Sequence, residues 1–281
     1  MTIKTRNRIN LFLIFISLTL LVFIGILIPF LYTTGKLTVP AGIPYVKFQQ
    51  FFLTRFNFAA VLLSTFIFPL YSFIMFLYLN VEFEKTQSTE IIYFSIFLIA
   101  CLAEPVRLCF PFFDLWHTKT HLALVASTVM LSGRILAPLS LLFAVIYNKT
   151  ESRQYVEQNI LVLFVVSIYI SVLLPFNTQK VLPLCQLEYG YPKVFTSSQH
   201  ALFLAAIITQ TISFFQDKSQ RTFPYGMILM CTGYLFLCSA DSFLLLGTGT
   251  VLLFTGSMSY LKALHKMYLW NDFENCNFQS C

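Results

Sequence analysis

Ile91-Ile92-Tyr93-Phe94-Ser95-Ile96-Phe97-Leu98-Ile99-Ala100-Cys101-Leu102-Ala103-Glu104-Pro105-Val106-Arg107-Leu108-Cys109-Phe110-Pro111-Phe112 is the stretch that decides the fold. Its side chains are almost all apolar, and a helix of about 20 such residues crosses the ~30 Å hydrocarbon layer of a bilayer. Two charges sit deep inside it. On insertion scales each costs roughly 2.5–3.5 kcal/mol at a helix centre. Glu104 and Arg107 therefore need partners, and finding them governs the rest of the reading.

Working outward, the 281 residues are 57% hydrophobic, 17% aromatic and only 11% charged. Soluble domains carry roughly 25% charged residues. So few ions cannot cover a water-facing surface, and lipid is the physical remedy. The same apolar pattern recurs near 10–32, 57–80, 91–112, 122–146, 160–176, 200–215, 225–239 and 242–261. That predicts an all-α, polytopic transmembrane helical bundle of about eight spans. Residues 225–261 are nearly continuous, and only Ser239-Ala240-Asp241-Ser242 interrupts them. Without a turn there, the count falls to about seven. One transmembrane domain covers 1–270, and 271–281 form a short cytoplasmic tail.

Lys4, Arg6 and Arg8 precede the first span, whose apolar run of about 20 residues exceeds the roughly 7–15 of a signal peptide. It reads as an uncleaved anchor. The net charge of +6 is dispersed between spans and forms no nucleic-acid patch. Lys4, Arg6, Arg8, Lys85, Lys149, Arg153, Lys218, Arg221, Lys262 and Lys266 fall on one side. Lys36, Lys47, Arg55, Lys119, Lys180 and Lys193 fall on the other, in longer loops. The positive-inside rule then places both termini in the cytoplasm and the loops 33–56 and 177–199 outside. Val39-Pro40-Ala41-Gly42-Ile43-Pro44-Tyr45 and Tyr189-Gly190-Tyr191-Pro192 give these loops Pro, Gly and headgroup-zone tyrosines. Of the seven cysteines, Cys101, Cys109, Cys231 and Cys238 lie in apolar runs, Cys185 is alone in a loop, and Cys276 and Cys281 are in the tail. No disulfide framework or zinc site is indicated.

A third intramembrane charge supplies the missing partner. Arg134 follows Gly133 in the fourth span, at a depth of roughly 18 Å from the hairpin at 113–121, against roughly 12 Å for Glu104. An arginine side chain bridges that difference. Glu104, Arg107 and Arg134 are thus expected to form one buried cluster, with Pro105 freeing a carbonyl and Gly133 allowing close helix approach. Two readings follow: a register-fixing ion cluster, or a site whose surplus positive charge holds an anionic lipid or small anion. Glu104 could instead carry a proton.

Weaker features are read beside it. Asp114, His117 and His121 have metal-ligand chemistry, but a solvated interfacial loop accounts for them, so no metal or other cofactor is expected. His200 and Gln210, with Thr209, Thr211 and Ser213, form a polar stripe on the sixth span, either bonding neighbouring helices or lining a polar path. Gly247-Thr248-Gly249-Thr250 reads as close helix packing, because the Lys of a phosphate loop is missing. The Asn148-Lys149-Thr150 sequon falls on the cytoplasmic side.

Phe83-Glu84-Lys85-Thr86-Gln87-Ser88-Thr89-Glu90, leading into Ile91-Ile92-Tyr93-Phe94 and on to Glu104 and Arg107, resembles uncharacterised multi-span inner-membrane proteins of spirochaetes. The resemblance covers residues 57–150 and implies a bacterial cytoplasmic (inner) membrane, with no activity attached. The layout is also similar to multi-span sensor regions that precede histidine kinases, although no output domain follows here. No Gly-x-Ser-x-Gly elbow or His-Glu-x-x-His motif points to an enzyme. The expectation is a sensor-like or accessory membrane protein working with a separate signalling protein. A small transporter for an anionic substrate and a membrane-embedded lipid-modifying enzyme stand as alternatives.

Overall fold

The computed structural model describes residues 3–35, 55–84, 88–116, 121–147, 156–216 and 223–279. Lys36, Lys47, the 39–45 segment, Lys85, His117, Lys119, the 148–150 sequon, Arg153, Lys218, Arg221 and Cys281 lie outside the described residues. The helices are α1 Ile3–Thr33, α2 Phe58–Glu82, α3 Thr89–Cys101, a 3₁₀ segment Glu104–Leu108, α4 Cys109–Phe112, α5 His121–Ile146, α6 Val156–Leu173, α7 Pro192–Gln216, α8 Phe223–Cys238 and α9 Phe243–Gln279. Two short strands, β1 Phe176–Leu182 and β2 Gln186–Tyr189, pair antiparallel between α6 and α7. The chain is a helical membrane protein. Six stretches among the described residues are long and apolar enough to cross a bilayer: Lys4–Thr33, Phe58–Glu82, Thr89–Phe112, His121–Ile146, Val156–Leu173 and Phe243–Lys266.

Local chemistry sets the helix ends. The Asn57 side chain accepts from the Ala59 amide at 2.9 Å and opens α2, supplying one of the acceptors that the first turn of a helix lacks. At the same end of the bundle the Asn57 amide donates to the Asp241 carbonyl at 2.8 Å, and the Leu187 amide donates to Ser127 Oγ at 3.2 Å. At the opposite end Arg6 donates to the carbonyls of Phe83 (2.6 Å) and Glu84 (3.0 Å), closing the last turn of α2. Thr89 Oγ1 donates there to the Tyr147 carbonyl at 3.1 Å. Neighbouring helices therefore run up and down, and the β-hairpin caps one end.

The core lies among α2, α3, α5, α8 and α9, where Phe68, Tyr71, Phe94, Phe97, Tyr234 and Leu264 are fully buried. Tyr71 Oη and Ser257 Oγ, 2.5 Å apart, tie α2 to α9. α8 and α9 meet almost backbone to backbone. A Cβ on Gly233 would lie 2.4 Å from the Leu253 nitrogen, and one on Gly256 2.4 Å from the Met230 nitrogen. Helix association in lipid lacks a hydrophobic driving force and depends on such close packing. By contrast, α6 exposes Leu161, Val165, Ile168 and Val172, an apolar surface that suits lipid rather than water.

The structure departs from the sequence reading in four places. The span expected over 91–112 is not one α-helix: α3 stops at Cys101, and residues 104–108 wind as 3₁₀. Pro105 has no N–H to give the carbonyl one α-turn back, and the Val106 amide bonds to Ala103, three residues earlier. The region 177–199, expected as a loop in an all-helical chain, holds most of the hairpin, and α7 starts at Pro192 rather than near 200. Proline favours the first position of a helix, where its missing N–H costs nothing. The threonines of the sixth span, expected to bond neighbouring helices, donate among the described residues to their own helix: Thr209 to the Ala205 carbonyl and Thr211 to that of Ile207. Finally, α9 does not end near 261 with the last expected span but continues as one helix from Phe243 to Gln279. The turn at 239–242 forms as expected between α8 and α9.

Candidate functional site: a buried charge cluster

The 3₁₀ winding is what lines up the first two charges. In a 3₁₀ helix residues three apart eclipse one another, so Glu104 and Arg107 share one ridge and form an ion pair. α5 brings Arg134 against them. Gly133 makes this approach possible: a Cβ there would lie 2.5 Å from Ala103 Cβ and 2.9 Å from the Ala100 carbonyl oxygen. Arg134 Nε then donates to Glu104 Oε1 at 2.7 Å, and Nη2 donates to Oε2 at 3.4 Å. The three side chains that sequence singled out are therefore in contact.

Burial decides what kind of cluster this is. Glu104 and Arg107 are each 1% exposed and Arg134 6%. Two cations against one carboxylate should leave a costly surplus charge in such a place, and the structure supplies its counterpart. Arg107 Nη2 donates to the Cys238 carbonyl at 3.0 Å, and Arg134 Nη2 donates to the same oxygen at 3.3 Å. Cys238 is the last residue of α8, whose 16 residues rise only about 24 Å at ~1.5 Å each. The Cys238 carbonyl is one of the terminal acceptors that no later turn of the helix serves, and the two guanidinium groups take it up. The last turn also carries roughly half a negative charge. The two arginines thus serve Glu104 and the end of α8 together, which accounts for the two-to-one ratio. The Cys238 thiol adds a contact at 3.5 Å from Glu104 Oε1.

A third connection reaches out of the bundle. Arg134 Nη1 donates to the hydroxyl of Tyr189 in β2 at 3.0 Å. Burial pushes the Tyr189 phenol above its ordinary pKa, keeping the hydroxyl neutral. Gln199 Nε2 of α7 donates to the Arg134 backbone carbonyl at 3.3 Å. The cluster therefore joins the 3₁₀ segment, α5, α7, α8 and the hairpin. Arg107 Nε and Nη1 have no hydrogen-bond partner among the described residues.

Tyr189, Gln199 and the Cys238 carbonyl were not found from sequence. Tyr189 lies in the Tyr189-Gly190-Tyr191 motif and reads as a headgroup-zone residue. A backbone carbonyl carries no letter, although the turn at 239–242 and the shortness of 225–239 mark where α8 ends. The other candidates are not drawn together. His200 is exposed and its Nδ1 lies 2.6 Å from the Thr196 carbonyl, whereas Gln210 is buried on the α7 face that also carries Gln199, Phe203 and Ala206. Asp114 follows α4 in a left-handed turn with φ of 50°, and His121 is exposed at the start of α5. Among the described residues no three His, Cys, Asp or Glu side chains are grouped to hold a metal.

Fold and site together define a polytopic helical membrane protein with an internally compensated charge cluster. No family model and no curated protein sequence matches the chain.

Proposed function

We infer that the protein is a sensor-like or accessory component of a bacterial cytoplasmic membrane, of the kind represented by the spirochaete membrane proteins it resembles. It crosses the bilayer about eight times with both termini in the cytoplasm, α7 and α8 joining the six more apolar candidates. One observation carries the sensor reading. Arg134 is bonded at once to Glu104, to the end of α8 and to Tyr189 in the hairpin. A displacement of the hairpin must rearrange hydrogen bonds in the middle of the bundle, and a separate signalling protein at the cytoplasmic end receives the change. The burial of all three charged side chains agrees with this role better than with an open conduction path.

The test is amide hydrogen exchange on the protein in nanodiscs, comparing wild type with Tyr189→Phe. A sensor predicts altered exchange at the far ends of α3 and α5, around Thr89 and Tyr147. A change confined to the hairpin and its immediate contacts would sink the reading. A second reading, transport of a small anion or carboxylate, has one observation in its favour: the unpartnered Nε and Nη1 of Arg107. Anion uptake into proteoliposomes that disappears in Arg107→Met would establish it in place of the first.

A further inference from the structure

On the side of the 3₁₀ segment away from the charges, α1 leaves a seam. α1 packs mainly along α2, and between it and residues 102–113 lies a groove of about 240 Å³. Its walls include Ile24 and Leu27 of α1 and, facing them, Pro105, Val106, Leu108 and Cys109. The helical phase explains the division. With three residues per turn, 104 and 107 occupy one ridge and the remaining residues the other two. All charge is thereby directed into the core and only apolar side chains towards α1. An α-helix, at 3.6 residues per turn, would not separate them so cleanly.

We propose that this groove is a binding site for one acyl chain of a membrane lipid, drawn from the leaflet at the hairpin end. The groove belongs to two membrane-crossing stretches, Lys4–Thr33 and Thr89–Phe112, so hydrocarbon is what surrounds it. Its rim is open to that hydrocarbon, since Phe23 and Phe113 are both more than half exposed. Among the described residues no charged side chain lines it, so its interior offers a headgroup no ionic partner. In volume it exceeds the ~150 Å³ of an apolar cavity that admits benzene, so an alkyl segment fits. An unfilled groove would forfeit dispersion contacts along both walls. A bound chain braces the segment that holds Glu104 from behind. This site depends on the membrane-spanning fold and stands apart from the sensor reading.

The test uses the full chain in vesicles of phosphatidylcholine bearing a diazirine in mid-acyl position, photolysed and mapped by peptide mass spectrometry. Residues of α6 between 161 and 173 face the bilayer and report ordinary annular lipid. The expected result is labelling of 23–27 and 105–109 several-fold above that of α6, falling to the α6 level in Val106→Trp. Leu20→Trp narrows the same groove from the α1 side and serves if the first variant does not assemble. Groove labelling no higher than α6 overturns the proposal, as does undiminished labelling in a folded, filled variant. A stoichiometric apolar compound other than a lipid in the organic extract overturns the acyl assignment. Cross-linking of two copies through Cys109 overturns it in favour of self-association.

Discussion

Glu104 is the residue on which the cluster depends, because it is the single anion between two arginines. Glu104→Gln leaves both guanidinium groups buried against one carbonyl, and stability should fall by roughly 3–5 kcal/mol, as when one partner of a buried pair is removed. Arg134→Met leaves the Glu104–Arg107 pair intact and should cost less, about 1.5–3 kcal/mol for lost charged hydrogen bonds. Unfolding midpoints in mild detergent give the order, and equal losses would contradict it. Tyr189→Phe removes one acceptor from Arg134 Nη1 and belongs with the milder change. Cys185, at the hairpin turn, offers a pH test. Burial pushes its thiol up to about 12, so the folded chain holds the proton more tightly than the unfolded one. Its contribution to stability is whole below the ordinary thiol range near 9 and is lost as pH rises towards about 12. Thiol labelling of folded protein should therefore stay slow through that interval and accelerate on unfolding. At this scale the three charges were legible because ions in apolar runs stand out. Their neutral partners were not, since a phenol and a main-chain oxygen look ordinary in a sequence.

Among the elements, the long helices were legible from hydrophobic length, and the break between α8 and α9 from its few polar residues. The hairpin was not: a strand of seven residues and another of four beside Pro, Gly and Tyr look like any irregular connection. The 3₁₀ segment was half legible, since Pro105 announced a disturbance but not the winding that answers it. Close contacts between elements make the sharpest predictions here. Gly133→Ala drives a Cβ into Ala103 and Ala100 and should cost roughly 1–3 kcal/mol by overpacking. It would also part α5 from the 3₁₀ segment, so that Arg134 and Glu104 become more accessible to hydrogen exchange. Gly233→Leu should be worse, because a larger side chain there meets the backbone nitrogen and Cα of Leu253 and the Gly249 carbonyl oxygen at once. Yield in the membrane and the unfolding midpoint check both. Gly247, with nothing within 4 Å of an added Cβ among the described residues, is the internal control and should accept alanine.

For the whole molecule, the prediction is topological. Single cysteines at Lys193 and Lys262, in a background lacking accessible thiols, should react with a membrane-impermeant maleimide from opposite faces of sealed inverted and right-side-out vesicles. Labelling of both from one face would invert the up-and-down arrangement or change the number of crossings. The overall layout was the part most open to sequence reasoning, because lipid imposes one simple rule on every span. The order in which the chain is made adds a consequence that the finished fold conceals. Glu104, Arg107 and Arg134 leave the ribosome long before Cys238, so for the time taken to translate some hundred residues (roughly 5–20 s at 5–20 residues per second) the nascent protein carries an uncompensated cation in lipid. Only the arrival of α8 relieves it. Chains stalled or truncated before residue 223 should accordingly be cleared by membrane quality-control proteases much faster than the full-length product, and Arg107→Met should lengthen their lifetime.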